Sequence, residues 1–401
     1  MFSVIKKYYP AFSTCIKKEI CFSLLFLLTV VSTHIKAQNI SGIINSYYKV
    51  LAIDVPTNRA KLNSIAGLTN NDRVIIIQMK GAAVSSSNNS SFGNITSINN
   101  TGLYEFATIC GLYHDTVLFK TNLINTYDAN TYLQLVKVPQ YTNVTITDTL
   151  KAQTWDATTG TGGVLALEAS GTVTLNSGIS ASGKGFGGGT FNNYGANCSF
   201  FGSPDYYNGF LSNDNNSAGN KGEGITNYIL GKEYGKGKLA NGGGGGNNHN
   251  AGGAGGANYG SGGSGGSQTG LFCDGSNPGI GGIALNSYGY TSGINRIFLG
   301  GGGGAGHMNN NEGVRGGNGG GIIIIRCNTL DGSNHTIEAS GMQPFNQNNS
   351  PSIYEANGDG GGGGGGGGVV IIDAATISNN LALVAKGGNG NNSGFQTQCT
   401  G

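Results

Sequence analysis

Side chains that ordinarily do chemistry are sparse in this sequence and poorly spaced for it. Outside the leader, histidine occurs at His114, His249, His307 and His335, and none stands in an H-E-x-x-H pair or beside a G-x-S-x-G turn. G-x-G-x-x-G strings recur, but glycine content alone generates them, and the helix and Lys-Ser/Thr that make such a loop hold phosphate do not follow. Asn213-Asp214-Asn215 and Asn357-Gly358-Asp359 offer oxygens to calcium; without the tandem nonapeptide of calcium-binding β-rolls they read as surface turns. Cys110, Cys198, Cys273, Cys327 and Cys399 form no C-x-x-C spacing, so zinc ligation is not expected, and no cofactor is expected either.

Two constellations are left. Cys198 and Cys273 sit in polar, aromatic, glycine-broken loops (GANCSFFGSPD and GLFCDGSNPG) and are the candidate disulfide of an oxidising compartment. Cys110 and Cys327, flanked by FATIC and IIIIRCNTL, read instead as small buried hydrophobes. The second constellation is a column through an internal repeat. Gly162–Gly185 (GGVLALEASGTVTLNSGISASGKG), Gly320–Gln343 (GGIIIIRCNTLDGSNHTIEASGMQ) and Gly367–Gly390 (GGVVIIDAATISNNLALVAKGGNG) each open on Gly-Gly and four apolar residues and close on apolar-x-Ala-x-Gly. Aligned, they place Glu168, Arg326 and Asp373 at one position. Mixed charge at one position suits a stabilising ladder better than a pair of catalytic acids, and Arg326 with Asp373 is the candidate structural ion pair.

The elements that must carry this column follow from the repeat. Two or three short strands broken by tight Gly or Asn turns fit a unit of this length, which is one coil of a parallel β-helix or solenoid. An antiparallel sandwich with coincidental similarity is the competing reading. Runs of four aliphatics without alternation predict strands covered on both faces. One cover is the solenoid interior, and the other is expected from the glycine-rich insertions alone. Those insertions lie within 186–319 and in the run Gly360–Gly368. Two readings stand for them: a flexible spacer, or polyglycine segments packed side by side so that backbone groups satisfy one another.

Only seven of the 75 glycines fall before residue 161, so two compositional regimes share the chain. Residues 38–142 read as an all-β domain, a β-sandwich or barrel, from runs such as YYKVLAIDV, RVIIIQM and YLQLVKV. Within it Ala83 to Thr101 reads as a long exposed loop. Residues 143–401 are the glycine-rich β-repeat domain, expected to be truncated at its C-terminus. Residues 1–37 carry a lysine-rich start, an apolar core CFSLLFLLTVV and a short polar exit, the pattern of a signal peptide. Its removal leaves 17 basic against 19 acidic residues, which takes away any basic surface for nucleic acid, and no later stretch is long and apolar enough to span a membrane.

Tyr47-Tyr-Lys-Val, Ala66-Gly-Leu-Thr-Asn-Asn-Asp-Arg-Val-Ile-Ile-Ile-Gln-Met, Tyr104-Glu-Phe-Ala-Thr-Ile, Val138-Pro-Gln-Tyr-Thr-Asn, Gly163-Val-Leu-Ala-Leu-Glu, Phe298-Leu-Gly-Gly-Gly-Gly-Gly-Ala-Gly-His and Gly319-Gly-Gly-Ile-Ile-Ile-Ile follow one another in this order. The series resembles the N-terminal part of secreted glycine-rich surface proteins of Bacteroidetes, over nearly the whole chain after the leader. The resemblance implies type IX secretion, a gliding-motility-associated C-terminal domain after Gly401, and a secreted or outer-surface location. The function expected is a non-enzymatic, adhesin-like structural protein meeting extracellular polysaccharide or other surface proteins. A β-helical carbohydrate-active enzyme, lyase or hydrolase, is the alternative.

Overall fold

The computed structural model describes residues 37–190, 205–207, 218–248, 250–267, 277–290, 295–308, 313–344 and 359–391, and these contain strands and no α-helix. In chain order the strands are β1 (Gln38–Gly42), β2 (Ser46–Asp54), β3 (Arg59–Leu62), β4 (Arg73–Gln78), β5 (Ala83–Val84), β6 (Ile95–Ser97), β7 (Tyr104–Tyr113), β8 (Thr116–Phe119) and β9 (Leu133–Val138). They continue with β10 (Gln140–Tyr141), β11 (Val144–Lys151), β12 (Val164–Leu175), β13 (Ile179–Ser180), β14 (Ile322–Asp331), β15 (Thr336–Glu338), β16 (Val369–Ser378) and β17 (Ala382–Val384).

β2, β3, β8, β7, β4 and β9 close into an antiparallel barrel, so these strands leave no free edge. Alternation sends Val74, Ile76, Leu133 and Leu135 inward, where they meet Val50, Ile109 and Val117. The other parity of β4 and β9, Ile75, Ile77, Val136 and Val138, is equally buried but belongs to a different core. β5 and β6 pair as a small hairpin inside the segment expected to be an exposed loop. That expectation fails at Phe92, which is 1% exposed and packs 5.6 Å from Tyr207. One aromatic in a polar stretch is enough to pin the loop.

The remaining strands stack in parallel. β12, β14 and β16 pair in register, with Val164, Ile322 and Val369 in one column and Glu168, Arg326 and Asp373 in another. β13, β15 and β17 form a second parallel ladder, joined to the first through β11. β1, expected in the N-terminal domain, pairs with β11 instead, as an earlier rung of the same stack. Alternation divides each aliphatic run: Leu165, Leu167, Ile323 and Ile325 fill the solenoid interior, whereas Val164, Ala166, Ile322 and Ile324 point outward.

The outward set is not covered by glycine-rich segments alone. It packs against Ile75, Ile77, Val136 and Val138 of the barrel together with Phe186, Ile225, Leu285, Phe298 and Leu299. The physical reason lies in β4 and β9, which are also buried on both faces and bring their own unpaired apolar surface to the stack. Removing each such side chain from water contributes about 1.5–3 kcal/mol, so two sheets with apolar outer faces gain by joining.

Between the repeats, glycine-rich segments exchange backbone hydrogen bonds with a three-residue period, that of a polyproline-II-type helix. In 300–307 the amides of Gly300 and Gly303 donate to Gly320 and Gly317, those of Gly301 and Gly304 to Ala257 and Ala254, and those of Gly302 and Ala305 to Glu223 and Asn220. Its carbonyls accept from three further segments, through Phe186 and Gly189, Gly243 and Gly246, and Gly363 and Gly366. Backbones can approach this closely only without side chains, and a Cβ on Gly302 would overlap the Gly187 carbonyl.

Candidate functional site

The outward column of the solenoid reaches the rim of the barrel interface and becomes a row of alternating charge. Arg73, at the start of β4, places Nε 3.3 Å from Glu168 Oε1. Arg326 Nη1 lies 2.8 Å from the same Glu168 oxygen, and Arg326 Nε donates to Asp373 Oδ2 at 3.0 Å. Gln140 Nε2 donates to the other Glu168 oxygen at 3.3 Å. The Phe106 ring from β7 lies under both guanidinium groups, 5.1 Å from Arg73 Cζ and 4.9 Å from Arg326 Cζ.

Exposure grades outward along this row: 16% for the Glu168 side chain, 38% for Arg326 and 65% for Asp373. Burial works against the Arg326 charge, but the hydrogen bond to Asp373 and the charge of Glu168 outweigh it and raise the guanidinium further. An open groove of about 600 Å³ runs along the row, lined by Gln140, Tyr141, Glu168, Arg326, Cys327 and Asp373. Cys327 is a free thiol that is half-buried instead of enclosed in the core: it packs against the solenoid interior and also lines the groove. Burial, and then the Asp373 charge, pushes that thiol up to about 11, which removes it as a nucleophile near neutral pH. Cys110 is likewise half-buried, against its expected full burial. It lies near the end of β7, at the register shift between Ile109 and Gly111 in the pairing with β8.

Cys198 and Cys273, the candidate disulfide, lie outside the described residues, as do His249 and Asn213 to Asn215. The described histidines lie on separate elements of the fold. His114 occupies a left-handed turn at the β7–β8 hairpin, His335 the β14–β15 turn, and His307 is buried in the glycine-rich layer. Among the described residues no group of three or more His, Cys, Asp or Glu side chains is placed to hold a metal ion.

A second polar centre, not signalled by the sequence reading, lies where the barrel meets the glycine-rich layer. Lys80, two residues after β4, places Nζ 2.5 Å from Glu223 Oε1, with side chains 2% and 4% exposed. Trp155 Nε1 donates to Oε1 at 2.8 Å and the Gly187 amide to Oε2 at 2.9 Å. The Lys80 amine faces the rings of Tyr132, Phe186 and Tyr228 at 5.0, 5.3 and 5.6 Å. Burial lowers this amine, against the opposing pull of the Glu223 charge. Nearby, Lys221 is fully buried and donates to the carbonyls of Tyr206, Tyr234 and Gly235 at 2.7, 2.5 and 2.8 Å. The only sequence signal for these groups is charge set where it does not belong: a lysine closing RVIIIQMK, and KGEG inside glycine-rich sequence.

No family model matches this chain, and no curated protein matches it in sequence. Two solved structures align with part of it. One is the Gp54 tailspike of Acinetobacter baumannii bacteriophage AP22 in complex with A. baumannii capsular saccharide, 9% identical over 34% of this chain and 25% of that one, with a TM-score of 0.17. The other is the tailspike protein gp49 from Pseudomonas phage LKA1, 14% identical over 40% of this chain and 25% of that one, with a TM-score of 0.18. The aligned part therefore spans about a quarter of each tailspike chain.

Proposed function

We propose that this chain is a non-enzymatic, adhesin-like structural protein of the cell surface or extracellular space, exported through its leader. The observation that carries the reading is the charge row. Glu168 is held by both Arg73 and Arg326, and Asp373 by Arg326, so the acids on the outer face of the solenoid neutralise neighbours instead of waiting for substrate. A glycosidase needs two carboxyl groups free to meet the glycosidic bond as acid and as base or nucleophile, and here both are engaged by the Arg326 guanidinium. The groove beside the row is open and polar enough to take part in contact with extracellular polysaccharide or with other surface proteins. Outer-surface display by type IX secretion belongs to this proposal through the resemblance already described.

The alternative, a β-helical carbohydrate-active enzyme, is favoured by one feature: the well exposed Asp373 carboxylate lies in the same groove as Glu168. Incubation of the purified protein with panels of anionic and neutral polysaccharides, followed by product analysis, separates the two. The scaffold reading expects no turnover by the protein or by its Glu168→Gln and Asp373→Asn variants. A product formed by the native protein and lost in either variant would replace it with the enzyme.

A further inference from the structure

The Lys80–Glu223 contact has the components of a bond-forming site. Its amine and carboxylate are 2.5 Å apart and nearly sealed from solvent. Each carboxylate oxygen already accepts from a donor fixed by other packing, the Trp155 indole N–H on one and the Gly187 amide on the other. The Trp155 ring is clamped edge-on by Phe186 at 5.5 Å and lies 6.0 Å from Tyr132, so its N–H cannot swing away. Phe186 and Tyr132 also wall the amine, which leaves water little access to it.

We propose that Lys80 and Glu223 condense to an intramolecular amide, a covalent staple between the barrel and the glycine-rich layer. The lysine Nζ bonds to Glu223 Cδ, and the bond from Cδ to one carboxylate oxygen breaks. Starting from the ammonium and the carboxylate, two nitrogen-bound protons leave with that oxygen as water, and the third stays on the amide nitrogen. No oxidant, reductant or co-reactant is needed.

Four physical features drive the step. Holding the two groups in contact supplies the effective concentration that an intermolecular condensation in water lacks. The indole and amide donors sit where negative charge gathers as nitrogen adds to the carboxyl carbon. Burial lowers the Lys80 amine toward its uncharged, nucleophilic form. Finally, a charge pair in an aromatic box carries a desolvation penalty that the neutral amide does not, and the released water escapes to bulk. Lys80 and Glu223 are far apart in sequence, and their ion pair is closed between the barrel and the glycine-rich layer.

The test is the mass of the folded full-length protein, purified without further treatment and then denatured. The expected result is a loss of ~18 Da, one water, relative to the processed sequence. Proteolysis should then yield a branched peptide joining the fragment with Lys80 to the fragment with Glu223. The same loss should be absent in Lys80→Met and in Glu223→Ala, whose linear peptides provide the reference. A native protein with the full sequence mass, and separate linear peptides over Lys80 and Glu223, would overturn the proposal even if both variants fail to fold. This readout is independent of polysaccharide turnover, so its failure and the failure of the scaffold reading are distinguishable.

Discussion

The side-chain amide of Asn45 stands in for a missing strand at Ala166: its Nδ2 donates to the Ala166 carbonyl at 2.7 Å, and its Oδ1 accepts from the Ala166 amide at 3.1 Å. On this edge of β12, β10 pairs with Glu168 and Ala169 and β11 with Val173 to Leu175, which leaves Val164 to Leu167 without a strand partner. The N-terminal half of β12 would otherwise bury an unpaired edge against the barrel. Tyr47 closes the next group, its hydroxyl donating to the Val164 carbonyl at 2.7 Å, and burial pushes that phenol up to about 12. Asn45 also donates to Lys137 of β9, so one amide ties solenoid to barrel.

Asn45→Ala is therefore expected to destabilise by about 2–6 kcal/mol, because it leaves a buried N–H and C=O without partners at about 1–3 kcal/mol each. Chemical denaturation of the two proteins measures it. A change below about 0.5 kcal/mol would mean that water replaces the amide and that the edge is not sealed.

The charge row should couple unevenly. Asp373 is mostly exposed, so an Arg326→Ala, Asp373→Ala double-mutant cycle should return only about 0–1 kcal/mol. Glu168 is largely covered and shared between two arginines, so the Arg326–Glu168 cycle should exceed it, at about 1–3 kcal/mol. Equal couplings would show that burial does not grade along the row.

The stacking register was legible because parallel in-register coils write the same residue class at the same place in each repeat: Leu167, Ile325 and Ile372, then Glu168, Arg326 and Asp373. What escaped was non-local. QNISG at β1 carries no sign that its partner begins about 100 residues later, because parallel pairing leaves no hairpin turn to read. The cover over Ile322 and Ile324 was assigned to glycine-rich sequence alone, although RVIIIQ in β4 shows the same lack of alternation and supplies part of it. Lys80 and Glu223 are single charges in unrelated segments, and no spacing rule joins them.

Cys327 should alkylate slowly in the native protein. An unperturbed thiol is half ionised near pH 8.5, whereas this one reaches that point at about 11. Iodoacetamide labelling at pH 9 should therefore be far slower in the folded than in the denatured chain, and should rise toward pH 11. The sign for stability follows: the folded state holds its proton after the unfolded thiol has lost one, so the contribution of this group is intact below about pH 8.5 and declines toward 11. Native labelling as fast as denatured labelling at pH 9 would show the thiol to be unshielded.

The glycine-rich layer should tolerate a methyl group only where there is room for one. Gly302 lies at the centre of segment 300–307, with its amide on the Glu223 carbonyl and its carbonyl accepting from Gly243. A Cβ there would overlap the backbone of Gly187, which has no flexible side chain to yield, so two hydrogen-bonded segments must move apart. Gly302→Ala should cost about 3 kcal/mol or more, at or above the upper end for overpacking because backbone is displaced. Gly260 is the matched control: it lies in the same kind of sequence with nothing within 4 Å of an added Cβ, and Gly260→Ala should stay within about 0.5 kcal/mol of the native protein. Thermal melts of both variants, with hydrogen exchange at Gly303, Gly304, Gly363 and Gly366, decide the matter. Slow exchange at these amides in the native protein and its loss in Gly302→Ala are expected, since each donates to a neighbouring segment. Equal melting of the two variants, with amides exchanging at unstructured-chain rates, would return the layer to a flexible spacer.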